Sequence, residues 1–167
     1  MVSKADVIVL VGPMGVGKST VGKKLANTMG IEFRDTDAMF TKQHGNITEF
    51  FAVRGEETFR AIEEQIVAEA LSSPGVVATG GGSVLSEKTR ALLANSTVVY
   101  LATDGTHMAK RLSQGNRPLL KNGLSDWNRI YSQRKPIYEA LADITIDSSG
   151  HPIKQTVTEI REALGLQ

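Results

Sequence analysis

The chain of 167 residues contains no cysteine. Disulfides, zinc thiolate sites and cysteine nucleophiles are therefore excluded, and a reducing compartment, the cytoplasm, is the expected location. Long apolar runs are also missing. The stretch Val7–Val11 near the start is too short for a secretory segment or a membrane span, and it reads as a buried strand. Neither sign of charge is in excess: 19 Lys and Arg stand against 18 Asp and Glu, a net charge of +1. That balance gives no reason to expect nucleic acid or a membrane as partner. Internal repeats, low-complexity tracts and linkers are absent, so a single domain over 1–167 is the simplest organisation. The 41% of hydrophobic residues suffices for a sizeable core.

Short apolar runs alternate with helical patterns. Val7–Val11, Ile31–Arg34, Val76–Thr79, Thr97–Ala102 and Ile144–Asp147 read as five strands. Between them, Lys18–Met29 has helical spacing (Val21, Leu25, Met29) and stops at Gly30, a C-cap. Two helical pieces are expected between Asp37 and Leu71. The second carries Phe59, Ile62, Ile66 and Ala70 on one face and breaks at Pro74-Gly75. Ser86 caps a helix to Ala94, and Asp104 is expected to cap another to about Leu112. A further helix spans about Asp126 to Ala142, where Pro136 is expected to kink or split it. Pro152 opens the last helix, to about Leu164. Strands separated by helices pair in parallel through right-handed crossovers. The expected fold is a doubly wound α/β sandwich with ligands beyond the carboxyl ends of the strands. The segment from about Ser113 to Ser125, punctuated by Gly115, Pro118 and Gly123, is long for an ordinary loop and reads as a mobile lid.

Directly after the first strand, Gly12-Pro13-Met14-Gly15-Val16-Gly17-Lys18-Ser19 fits G-x-x-x-x-G-K-S/T. Its strand-before, helix-after setting is the one in which glycines let backbone N–H groups converge on phosphate oxygens. The helix N-terminus adds donors and positive partial charge. Met14, Gly15, Val16, Gly17, Lys18, Ser19 and Thr20, with Gly12, form the expected nucleotide cradle. Lys18 supplies charge to the β- and γ-phosphates and Ser19 a hydroxyl to Mg²⁺. The loop alone does not separate ATP from GTP, although the guanine signature N-K-x-D is missing.

Five further features stand out along the chain. They are Asp35-Thr36-Asp37, the G-E-x-x-F-R-x-x-E run from Gly55 to Glu63, Thr79-Gly80-Gly81-Gly82, Arg117-Pro118-Leu119-Leu120, and Arg134 before Pro136 and Tyr138. With the phosphate loop, this set resembles the shikimate kinase family in order and spacing over nearly the whole chain. The resemblance implies a P-loop kinase fold with a five-stranded parallel sheet, a substrate-binding segment at about 35–63 and a lid at about 113–125. It implies transfer of the ATP γ-phosphate to the 3-hydroxyl of shikimate, by a monomer, in aromatic amino-acid biosynthesis.

Within that resemblance Asp37 is the substrate aspartate, orienting the attacking hydroxyl or taking its proton. Arg60 and Arg134 grip the shikimate carboxylate, a planar anion that suits guanidinium forks. Gly80, Gly81 and Gly82 bring backbone N–H groups close to the substrate, with Phe59 and Leu119 as apolar contacts. Glu63 holds Arg60 in place. Arg117 reaches the transferring phosphoryl group as an arginine finger in cis, and Arg111 stacks on adenine. The strand before the triple glycine ends Val76-Val77-Ala78-Thr79 without the usual acid, so Asp35 joins Ser19 as the expected Mg²⁺ carboxylate. The sequence departs from the family where an arginine often precedes the proline after the last strand, since here it reads Gly150-His151-Pro152. Two other readings share the phosphate loop: a related small-metabolite kinase, such as one acting on gluconate, and a catalytically silent nucleotide-binding regulator. The acceptor residues argue against the first, and retention of Lys18, Asp37 and Arg117 against the second.

Overall fold

The structure is a computed structural model that describes residues 3–112 and 118–166. Its centre is a five-stranded, wholly parallel sheet: β1 (Val7–Val11), β2 (Phe33–Asp35), β3 (Gly75–Ala78), β4 (Thr97–Ala102) and β5 (Ile144–Asp147), in the spatial order β2-β3-β1-β4-β5. The helices are α1 (Lys18–Met29), α2 (Thr36–His44), α3 (Ile47–Ala70), α4 (Glu87–Leu93), α5 (Met108–Leu112), α6 (Leu124–Leu141) and α7 (Ile153–Ala163). The strand order reverses at β1, the switch point where open α/β sheets bind ligands. None of the described helices is long and apolar enough to cross a membrane.

All five residues of β1 are buried, as a strand covered on both faces requires. Because successive side chains alternate, Val7, Val9 and Val11 pack under α6 with Val77, Val98, Tyr100, Trp127 and Tyr138. Ile8 and Leu10 pack on the other face with Val21, Leu25 and Ala26 of α1 and Val157 and Ile160 of α7. A smaller cluster of Phe40, Phe59 and Ile66 joins α2 to α3. Burying each such side chain contributes about 1.5–3 kcal/mol. α1 stops where the sequence indicates. Gly30 is left-handed (φ 68°), its N–H bonds Asn27 O and that of Ile31 bonds Ala26 O, so the last carbonyls are satisfied.

Several local expectations change. β2 begins at Phe33 rather than Ile31, and the paired portion of β3 ends at Ala78 rather than Thr79. Asp104 does not cap α5. Its carboxylate accepts from the N–H and hydroxyl of Thr106, a local turn that delays the helix to Met108. α6 starts at Leu124, so Leu124 and Ser125 are helical rather than part of a lid, and Pro118–Gly123 precede it as turn and irregular chain. Pro136 does not split α6. Its cost of about 3 kcal/mol is offset by burial of Trp127, Ile130, Tyr131 and Tyr138 along the same face. Pro152 is the N-cap of α7, one residue before its first helical position. α3 is broken at Gly55 (φ 81°, ψ 169°), where the open surroundings leave backbone conformation as the reason for glycine.

The first glycine of the phosphate loop is fixed by packing as much as by ligand. Gly12 has φ 149°, and a Cβ there would lie 2.6 Å from the Leu101 carbonyl oxygen of β4. Gly12→Ala is therefore expected to lower unfolding free energy by at least about 1–3 kcal/mol, read as a reduced urea midpoint with unchanged slope. An unchanged midpoint would show that β4 does not constrain the loop.

Candidate active site

The phosphate loop leaves β1 and enters α1 through Gly15 (φ 78°) and Gly17 (φ 103°), conformations that favour glycine. Lys18 folds back so that its ammonium donates to the carbonyls of Gly12 (2.8 Å) and Pro13 (2.9 Å). Val16 is 2% exposed and packs into the core beneath the loop, so only its backbone can face a ligand. Met14, Gly15, Gly17, Lys18, Ser19 and Thr20 line an open cavity with Asp35, Asp37 and Thr79–Gly81.

Asp35 uses its two oxygens differently. One accepts from the N–H groups of Asp37 (2.9 Å) and Ala38 (3.2 Å), capping α2, and the other accepts from the Ser19 hydroxyl. Helix capping and contact with the phosphate loop thus coexist in one side chain. A hydroxyl and a carboxylate meeting at a phosphate loop are hard oxygen donors that suit Mg²⁺, which takes few protein ligands and completes its shell with water and phosphate. No cluster of three or more His, Cys, Asp or Glu among the described residues offers an alternative all-protein metal cage.

Met14, Asp37, Gly80 and Gly81 also line a second cavity, so the two spaces share a wall. The second is completed by Ile47, Thr48, Phe51, Phe59, Arg60, Glu63, Gly82, Pro118, Leu119 and Arg134. Each residue of the triple glycine faces different neighbours. A Cβ on Gly80 would meet the Asp37 carboxylate at 2.9 Å and that of Glu63 at 3.0 Å. One on Gly81 would touch Gly12 O and Met14 N at 3.4 Å, and one on Gly82 would strike the Arg60 guanidinium at 2.4 Å. Phe59 is both core, at 3% exposure, and cavity wall.

Arg60 is bound on its own helix by Glu63 (2.8 Å) and Glu56 (3.3 Å). Glu63 is buried, and burial pushes its carboxyl above the ordinary glutamate value against the opposing pull of Arg60. Arg134 is 6% exposed; burial lowers its affinity for a proton, the nearby Tyr138 hydroxyl acts the other way, and the Arg60 charge lowers it further. Two guanidiniums therefore line one cavity, Arg134 buried and Arg60 paired with glutamates, and such forks suit a planar anion.

Arg111 lies on the far side of the loop, where it donates to the Gly15 carbonyl (3.0 Å) and lines a separate groove with Thr106, His107, Lys110, Gly150 and His151. Arg117 lies outside the described residues, as does the 113–117 part of the expected lid.

A family model described as shikimate kinase matches residues 14–165. The chain is 42% identical over 166 residues to a shikimate kinase of Thermobifida fusca, covering 97% of this chain and 96% of that one. The chain belongs to the shikimate kinase family. A family member from Salinispora arenicola is 44% identical over 164 residues, covering 96% of this chain and 98% of that one. The solved structure of shikimate kinase from Acinetobacter baumannii in complex with shikimate is 33% identical, with a TM-score of 0.86 over 98% of this chain and 95% of that one.

Sequence reading passed over several residues that shape this kinase-family site. Ile47, Thr48 and Phe51 bring the first turns of α3 onto the second cavity. Trp127 donates from Nε1 to Met14 O (2.8 Å), and the Tyr138 hydroxyl donates to Gly81 O (2.6 Å). The available signal was Arg134 standing in an otherwise apolar series, Trp127, Ile130, Tyr131 and Tyr138, at helical spacing.

Burial of Glu63 sets a pH dependence. A carboxyl raised in the fold adds stability below the unfolded value, about 4.3, and loses it as pH rises through the folded value. The unfolding midpoint of Glu63→Gln relative to the native chain is therefore expected to rise between about pH 4 and about pH 8. A difference that falls over that range would contradict the burial argument.

Proposed function

We propose that this chain transfers the γ-phosphate of ATP to the 3-hydroxyl of shikimate, giving shikimate 3-phosphate and ADP. The observation that carries the reading is the shared wall of the two cavities, with Asp37 against Gly80 on the phosphate-loop side and the Arg60 and Arg134 guanidiniums beyond it. A diol carboxylic acid matches that order of groups. Its carboxylate meets the two arginines, its hydroxyls meet Asp37, and its ring meets Phe59 and Leu119.

Phosphoryl transfer asks for positioning and charge stabilisation more than for covalent chemistry. Lys18 exchanges its loop carbonyls for β- and γ-phosphate oxygens. Asp37 accepts a hydrogen bond from the attacking hydroxyl and fixes its direction; with a loose transition state, orientation outweighs basicity. Glu63 keeps Arg60 aimed at the cavity. Ser19 and Asp35 would hold Mg²⁺, which when bound neutralises charge on the phosphates. Arg117 supplies positive charge to the transferring group, and Arg111 supports the base from the groove beside Gly150 and His151. A cytoplasmic monomer that binds neither nucleic acid nor membrane is the form in which this reading places the enzyme.

The test is ADP release with shikimate, gluconate and quinate assayed in parallel. Shikimate-dependent turnover well above the other two is expected, and none with shikimate overturns the assignment. Arg134→Ala is expected to raise the KM for shikimate about a hundredfold or more while leaving nucleotide binding in place. Arg134→Lys should restore little, because an ammonium lacks the fork. Equal loss of both substrates would place Arg134 outside the acceptor site.

A further inference from the structure

The phosphate loop and the triple-glycine loop touch each other directly. Gly81 approaches Gly12 O and Met14 N so closely that a Cβ would be in contact with both. Both loops also turn a carbonyl outward onto the same helix. Met14 O accepts from Trp127 Nε1 (2.8 Å) and Gly81 O from the Tyr138 hydroxyl (2.6 Å). Positions 127, 134 and 138 lie seven and four residues apart, on one face of α6. The donors are held firmly, Trp127 being 2% and Tyr138 0% exposed.

In a planar trans peptide the carbonyl of one residue and the N–H of the next point in opposite directions. None of the described peptide bonds is cis. Holding Met14 O against Trp127 therefore turns the Gly15 N–H away from α6, and holding Gly81 O against Tyr138 does the same for the Gly82 N–H. Gly15 lines the phosphate cavity and Gly82 the acceptor cavity. Among the described residues neither amide donates to a protein acceptor. We infer that Trp127 and Tyr138 are positioning residues that aim one backbone donor at each substrate from a single rigid helix face, Trp127 for the phosphates and Tyr138 for the acceptor. This rests on the kinase reading above for the identity of the substrates. The Arg134 guanidinium lies against the same Tyr138 hydroxyl, so the acceptor side is set by two groups on that face.

Two variants that each remove one donor separate this from a merely structural role. Tyr138→Phe keeps the ring and removes the donor. It is expected to move the Gly82 amide resonance of the substrate-free protein while leaving Gly15 in place, and to lower kcat/KM for shikimate by up to about a hundredfold with the KM for ATP unchanged. Trp127→Phe, or Trp127→Tyr if the first does not fold, is expected to move Gly15 instead and to weaken ADP binding, with shikimate binding kept. Equal effects of both variants on both substrates, or a lowered unfolding temperature with unchanged kinetics, overturn the inference. If the native chain turns over no shikimate, the kinase reading fails, and the amide resonances alone decide whether Trp127 and Tyr138 aim their separate donors.

Discussion

The site depends on how closely two loops can approach at the carboxyl edge of the sheet. β1 and β3 are neighbours in register, with Leu10 opposite Ala78, so the chains that follow them emerge side by side. Any side chain on Gly12 would collide with the β4 backbone, one on Gly82 would displace the Arg60 guanidinium, and one on Gly81 would touch the phosphate loop. The absence of those side chains lets the two cavities share a wall made of Met14, Asp37, Gly80 and Gly81. Phosphoryl transfer between two bound molecules needs that short separation, and parallel pairing of adjacent strands supplies it before any ligand arrives.

Charge is then distributed around the junction by burial. Asp35 ties α2 to α1 through Ser19 while capping its own helix, which keeps an acidic oxygen beside the phosphate loop without a third carboxylate. Glu63 is buried at an energetic cost that Arg60 partly offsets, and the pair in turn packs on Gly82 and Gly80. Arg134 comes from the opposite side, on a helix whose remaining inward residues are apolar. Arg60 is thus paired with two glutamates, whereas Arg134 is held next to the Tyr138 hydroxyl, and both guanidiniums line one cavity with Asp37 and Glu63.

Much of this was legible in the sequence because it follows from local rules. The alternation of apolar runs with helical patterns gave five strands and their parallel pairing, and Gly30 and Ser86 marked helix ends through backbone chemistry that needs no tertiary context. Two helix readings slipped, one through a local turn and one through tertiary burial. Asp104 satisfied Thr106 instead of a helix, and Pro136 stayed within α6 because the buried face of that helix outweighs one missing hydrogen bond. The gathering of Asp37, Arg60, the triple glycine and Arg134 around one cavity was suggested by motif order, but the bonds from Trp127 and Tyr138 to the two loops were not. Both pairs are separated by dozens of residues, and an aromatic in a helical stripe reads as core until its polar atom is seen to have a partner.

The central claim is that the shared wall separates a nucleotide from a carboxylated diol. A crystal structure of this chain grown with Mg²⁺, ADP and shikimate tests it most directly. The account predicts shikimate in the cavity of Arg60, Arg134 and Gly80–Gly82, with a hydroxyl on Asp37 facing the phosphate loop. Shikimate bound elsewhere, or bound with its carboxylate turned toward Lys18, would contradict it.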